Sequence, residues 1–199
     1  MSLDVTVLSS ELIKLFDANA AGFVGYPTTK AQVAANWANA YDTYARSAVD
    51  TSGDALVTAN KAGFITALQS NLPTYTTGTI ALGAQAFDLA LVAYWTAAIF
   101  AIGALPISGS PCPNIGGTTV FSAEISSVVS AVTPSILSGL LLTEFGNITT
   151  GTTAQEKADS IAQAFHTATT TAVNVLIIGI DTTPPPAGPL PIMNACYVF

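Results

Sequence analysis

The chain has 199 residues, of which 50% are hydrophobic and only 9% charged, with 12 acidic and 5 basic residues and a net charge of −7. An ordinary domain carries roughly 25% charged residues, so this surface is expected to lie against partners, or against lipid, rather than to face water alone. Five scattered cations, none of them between Lys61 and Lys157, exclude a surface that tracks phosphates, and no nucleic-acid partner is expected.

The length favours one domain with a sizeable core. The opening residues MSLDVTVLSS include an acid and no cationic region. They do not read as a signal peptide, and synthesis and retention in the cytoplasm are expected. Ser9 or Ser10 is placed to cap a short helix over Glu11–Ala18, with Leu12, Leu15 and Phe16 on its apolar face. A loop follows with Gly22, Gly25 and Pro27, whose Phe23 and Tyr26 are expected to fold back onto the domain.

Thr29-x-x-Gln32 has the spacing of a capping box. The helix behind it should run to about Val49, and Val33, Trp37, Tyr41, Tyr44 and Ala48 form one stripe, read as core. Ser52-Gly53-Asp54 breaks and restarts the chain. A third helix to about Leu72 should turn Val57, Phe64, Leu68 and Leu72 inward. After a turn at Pro73–Gly78, Ile80–Ile107 is apolar on all sides and predicts a helix buried all round. The Gly- and Pro-rich stretch to about Thr118 is a linker.

Phe121–Val132 and Ser135–Phe145 predict two apolar helices, with Thr133-Pro134 between them and Gly146 as the stop. Thr153-x-x-Glu156 is a second capping box, and Ala158, Ile161, Phe165, Ala168 and Ala172 mark the inner face of the last long helix. The β-branched run from Val173 to Ile180 fits a strand or a prolonged helix equally well. Thr182 to Pro191 then reads as an extended polyproline segment ending in Cys196-Tyr-Val-Phe199. Apolar residues on a stiff stalk make sense if the tail docks on its own domain or on a neighbour.

Few residues suit chemistry. Cys112 and Cys196 lack the close spacing of a metal motif. Two free thiols are the simpler reading, and a bridge pinning the tail is the alternative. His166 is the one histidine, with Asp159 and Gln163 near its face of the helix. A base oriented by a carboxylate would look like this, and so would a half-exposed histidine on a polar face. The acids Glu11, Asp54, Glu156 and Asp159 sit at helix starts and loops, where they favour the helix dipole. Gly116-Gly117-Thr118 lacks the lysine and the spacing of a phosphate loop. No catalytic residue, cofactor or metal is therefore expected. Gln85 and Asp88 are the polar residues of the apolar run and should bond across a helical interface, since a buried lone carboxylate is costly.

A membrane span is the rival reading of that run. Thr96 is the one polar residue from Leu89 to Leu105, a length at the lower margin of the roughly 20 residues a bilayer needs. No Lys or Arg flanks it, and Tyr94 and Trp95 fall at its middle rather than at an interface.

Two segments carry a resemblance. One holds Leu12-Ile-Lys-Leu-Phe-Asp, Gly22-Phe-Val-Gly-Tyr-Pro and Gln32-Val-Ala-Ala-Asn-Trp; the other holds Ala164-Phe-His-Thr-Ala-Thr and Thr183-Pro-Pro-Pro-Ala-Gly-Pro-Leu-Pro. Together they resemble small Ala- and Thr-rich virion structural proteins of tailed bacteriophages, while the middle of the chain has no counterpart. The resemblance implies a subunit of the tail, baseplate or capsid surface, made in the host cytoplasm and located in the virion. Its partners would be other virion proteins and copies of itself.

The expected fold is mostly α: an irregular bundle of about six helices over residues 1–181, with a Pro-rich extended arm over 182–199. The expected function is architectural, with a membrane-active protein using residues 80–107 as the alternative. Expected contact residues are Pro184, Pro185, Pro186, Leu190, Tyr197 and Phe199 on the arm, and Phe23 and Tyr26 in the first loop.

Overall fold

The first helix starts earlier than its serines suggest. In the computed structural model, α1 spans Val5–Phe16 and is capped by Asp4, whose carboxylate accepts from the Thr6 amide at 2.9 Å. Ser9 is buried in the middle of the helix instead. The structure describes residues 3–49, 55–74, 79–96, 98–100, 121–124, 136–146, 152–172, 174–181 and 190–197. Among them are six helices and five strands, and the chain is mostly helical.

Helix α2 covers Lys30–Ala45. Both halves of its capping box form: the Gln32 amide donates to Thr29 Oγ1 at 3.2 Å and the Thr29 amide to Gln32 Oε1 at 3.2 Å. It stops short of Val49 because the Ser47 hydroxyl takes up the Tyr44 carbonyl at 2.7 Å and Val49 pairs with Ala55 in an isolated bridge. The chain then makes β1, Leu56–Thr58, where a helix beginning near Asp54 was expected. Alternation along that strand buries Leu56 and leaves Val57, expected inside, 55% exposed.

Helix α3, Lys61–Asn71, is capped by Asn60, whose side chain accepts from the Gly63 amide at 2.8 Å. Helix α4 is Ile80–Trp95, capped by Thr79. It does not continue to Ile107. Thr96 turns to extended geometry, with its hydroxyl on the Val92 carbonyl at 2.8 Å, and β2 follows at Ile99–Phe100. Residues 101–107 lie outside the described residues. Among the described residues no helix is long and apolar enough to cross a membrane.

Phe121–Glu124, expected to open a helix, is strand β3, because it pairs on both sides with β2 and with the later β4. The following helices are α5, Ile136–Gly146, and α6, Ala154–Ala172. Thr153 and Glu156 form the second capping box, with bonds of 2.8 Å and 3.1 Å. The segment after α6 is a strand, β4, Asn174–Asp181, and it pairs antiparallel with β5, Leu190–Tyr197. The register runs from Asn174 opposite Tyr197 to Asp181 opposite Leu190. The sheet order is β1-β2-β3-β4-β5, antiparallel throughout. Part of the expected arm is therefore sheet, while 182–189 and 198–199 lie outside the described residues.

The helices pack in a closed circuit. Each of α1 to α6 contacts its neighbour in sequence, and α6 returns to α1. Rings fill the middle. Tyr41 of α2 stacks on Phe64 of α3 at 5.7 Å and meets Tyr94 of α4 edge-on at 5.0 Å. Trp37 lies 4.6 Å from Phe87 of α4 and 5.9 Å from Phe165 of α6. Most of the stripe read from α2 is core: Tyr41, Tyr44 and Ala48 are buried and Trp37 packs against them half-buried, while Val33 is half-buried outside the core. Ala158, Ile161, Phe165 and Ala168 supply the matching face of α6. Small residues such as Ala34, Ala38, Ala90 and Ala162 let these helices approach closely enough for the rings to touch.

Candidate functional site

His166 stands on α6 with Nδ1 2.8 Å from the Tyr44 hydroxyl. Burial lowers its pKa from the usual value, partly offset by Asp4. Burial also pushes the Tyr44 hydroxyl well above the ordinary tyrosine range. That phenol keeps its proton, burial favours the neutral imidazole, and which of the two atoms donates follows the imidazole tautomer.

Asp159 is engaged elsewhere. It accepts from the Ser9 hydroxyl of α1 and from Gln155 Nε2 at 2.9 Å, and Gln155 Nε2 also reaches Ser9 at 3.0 Å. The Ser9 and Gln155 bonds hold its carboxyl below the ordinary range. Gln163 bonds Thr167 at 3.3 Å. The histidine and the carboxylate that sequence placed on one face thus serve two separate contacts: α6 to α2, and α6 to α1.

The other polar groups also join helices. Trp95 Nε1 donates to the Tyr41 hydroxyl at 2.7 Å. That hydroxyl lies 2.8 Å from Thr169 Oγ1, and Thr169 donates back to the Phe165 carbonyl at 2.8 Å. The Tyr94 hydroxyl donates to Asp42 at 2.7 Å, and Arg46 and Lys61 approach the same carboxylate at 3.2 Å and 3.3 Å. Burial works to raise the pKa of Asp42, but Tyr94, Arg46 and Lys61 outweigh it. Among the described residues no group of three His, Cys, Asp or Glu side chains is placed to hold a metal ion.

Several large apolar side chains stand at the surface. In the loop between α1 and α2, Gly22 and Gly25 hold φ of 83° and 84°, which any larger residue resists. The loop is tied back by the Val24 amide on the Lys14 carbonyl at 3.1 Å. Phe23 and Tyr26 meet edge-on at 5.0 Å, but Tyr26 is 68% exposed and does not fold into the core. Pro27 joins Val33, Leu72 and Pro73, with Thr28, Thr29 and Lys30 beside them, around a recess of about 360 Å³.

A second apolar surface lies on α4 and α5, and sequence reasoning missed it. Helix α4 was expected to be buried all round, yet Ile80, Leu82 and Leu89 are exposed, as is Leu142 on α5. Leu82 and Leu89 are seven residues apart and share one side of the helix. The signal was present: Gln85 and Thr96 recur on that same side, and both are exposed. A shallow groove of about 150 Å³ between the two helices is lined by Ala81, Gln85, Ser138, Gly139 and Leu142. The two helices carry two charged residues between them, Asp88, which is buried, and Glu144.

Of the expected contact residues, Phe23 and Tyr26 are adjacent in the first loop, and Leu190 and Tyr197 lie at opposite ends of β5. Pro184, Pro185, Pro186 and Phe199 lie outside the described residues, as does Cys112. The structure brings the loop pair together and places no described contact between it and β5. Comparison with family models, with curated proteins and with solved structures finds no match for this chain.

Proposed function

We propose that this chain is a non-catalytic structural subunit of a tailed-phage virion, in the tail, baseplate or capsid surface, working through contacts with copies of itself and with other virion proteins. One observation carries the architectural part: the outer side of α4 and α5 is apolar and free of exposed charge apart from half-buried Glu144. Exposed leucines on a chain so short of charge gain about 25 cal/mol for each Å² they bury against a partner. The polar side chains described above support the same reading, because their hydrogen bonds join helices to one another. The virion setting rests on the sequence resemblance. The membrane-active alternative relied on a helix through Ile107, and α4 ends at Trp95.

Sedimentation velocity of the purified chain without detergent tests this, run on residues 1–199 and on residues 1–181. The full chain is expected to form defined oligomers; the truncated chain, which also loses β5 from the sheet, is compared once its unfolding midpoint is shown to match, and is then expected to form smaller ones. A monomer at every concentration, failing also to bind other virion proteins, would sink the architectural reading. Unchanged oligomers after truncation would remove the arm from it.

A further inference from the structure

Asp88 is the one charged residue of α4, and it is 1% exposed at the contact between α4 and α5. Its Oδ2 faces the start of α5 and accepts from the Ser138 amide at 3.4 Å. The Ser138 hydroxyl and the Leu137 amide also favour the carboxylate. Its Oδ1 is buried and, among the described residues, has no hydrogen-bond partner. An ionised carboxylate with one bare oxygen is expensive in such a place, and the neutral acid costs less.

We propose that Asp88 is a proton-operated latch: with its carboxyl protonated α5 is held against α4, and with it ionised that contact loosens.

Among the described residues the surrounding charges do not supply the missing partner. Helix α3 carries only Lys61, which bonds Asp42, and α5 carries only Glu144, nearly two turns beyond Ser138. On α4 itself Tyr94 donates to Asp42. Across the core, Asp42 and Arg46 of α2 pair with each other, and Asp159 and His166 of α6 are held by Ser9 and Tyr44. Of the remaining charges on those two helices, Lys30 and Lys157 bond the Leu72 and Glu144 carbonyls, and Glu156 bonds Thr153. Burial raises the Asp88 pKa above 3.8, and the bonds from Ser138 and Leu137 only partly oppose it. The positive end of α5 pulls the same way as those bonds.

The sign follows from linkage. A carboxyl whose pKa is higher folded than unfolded adds stability that is complete below the ordinary value and is lost as pH rises through the folded value. Helix α5 is the element that responds, and the groove at Gln85, Ser138 and Gly139 gives water a route to the seam as it loosens. A subunit built this way would dock α5 more firmly as pH falls, which gives assembly a pH input.

The test uses the full chain. Carbon-detected NMR follows the Asp88 carboxyl as pH is varied, and amide exchange follows Leu137 to Leu141, corrected for intrinsic rates. The Asp88 carboxyl is expected to titrate above 3.8, the ordinary value. Over that titration the opening of α5 should grow with pH by up to about tenfold per pH unit, the limit for one proton. Asp88→Asn, a neutral isostere, should keep α5 protected with that dependence gone. Titration at or below the ordinary value overturns the proposal, and so does an Asp88→Asn chain with unchanged pH dependence. Should Asp88→Asn not fold, the wild-type titration still decides.

Discussion

Tyr41 carries both kinds of interaction that hold this core. Its ring touches Phe64, Tyr94 and Phe165, and its hydroxyl lies between Trp95 Nε1 and Thr169 Oγ1. Burial pushes that phenol far above the usual range, so it stays neutral at any ordinary pH. Tyr41→Phe keeps the ring and removes the acceptor that Trp95 uses. The expected cost is about 1–3 kcal/mol, the penalty for disturbing a buried hydrogen-bonded pair, read from urea unfolding. A change under about 0.5 kcal/mol would mean that the hydroxyl is not needed there. The stripe containing Tyr41 was legible because spacings of four and three mark one helix face. Its hydroxyl partners were not: Thr169 lies 128 positions away and His166 lies 122 from Tyr44. Local periodicity shows that a side chain turns inward, not what it meets.

Helix starts show the same division at the next scale. Thr29 and Thr153 could be read in advance because a capping box is a four-residue device, complete within the sequence that encodes it. Each satisfies amides that nothing else in the helix can reach. Thr29→Ala and Thr153→Ala should each cost about 1 kcal/mol. The boxes share no partner, so the double variant should lose about 2 kcal/mol. Thermal or urea unfolding measures both, and a double variant no weaker than either single one would mean that the two starts are not independent. The starts of α1 and α3 were misplaced for a related reason. Asp4 and Asn60 cap without a matching Glu or Gln three residues on, so the serines and Asp54 nearby looked equally suitable. Strands were the least legible elements. Phe121–Glu124 has no local mark that separates it from a helical turn, and what makes it a strand is its pairing with β2 and β4. The run after α6 was β-branched enough to keep a strand open, but β5 and its register with β4 decided it.

Taken as a whole molecule, the closed circuit of helices leaves one side of α4 and α5 outside, and this is where a subunit reading can be tested apart from stability. The low charge of the chain was visible from composition, but its distribution was not. An all-apolar helix looks the same whether a neighbour covers every side or leaves one bare. Leu82 offers a clean probe. It is 46% exposed, and its amide already donates to the capping Thr79. Leu82→Glu therefore creates the Thr-x-x-Glu pattern that caps α6, and should leave stability equal or slightly raised. Leu142, also 46% exposed, can be changed to Glu with little loss, as surface substitutions usually stay within about 0.5 kcal/mol. On a chain of net charge −7, two further acids on a self-complementary face oppose each other across the contact and remove the leucines that would be buried. L82E/L142E is expected to unfold at the wild-type midpoint yet sediment as a smaller species, with the difference shrinking at high salt. Oligomers of unchanged size would place the contact on another surface, with the Tyr26 loop next to be altered. A lowered midpoint would instead mean that these leucines support the fold, and the exposed side of α4 and α5 would lose its claim to be an interface.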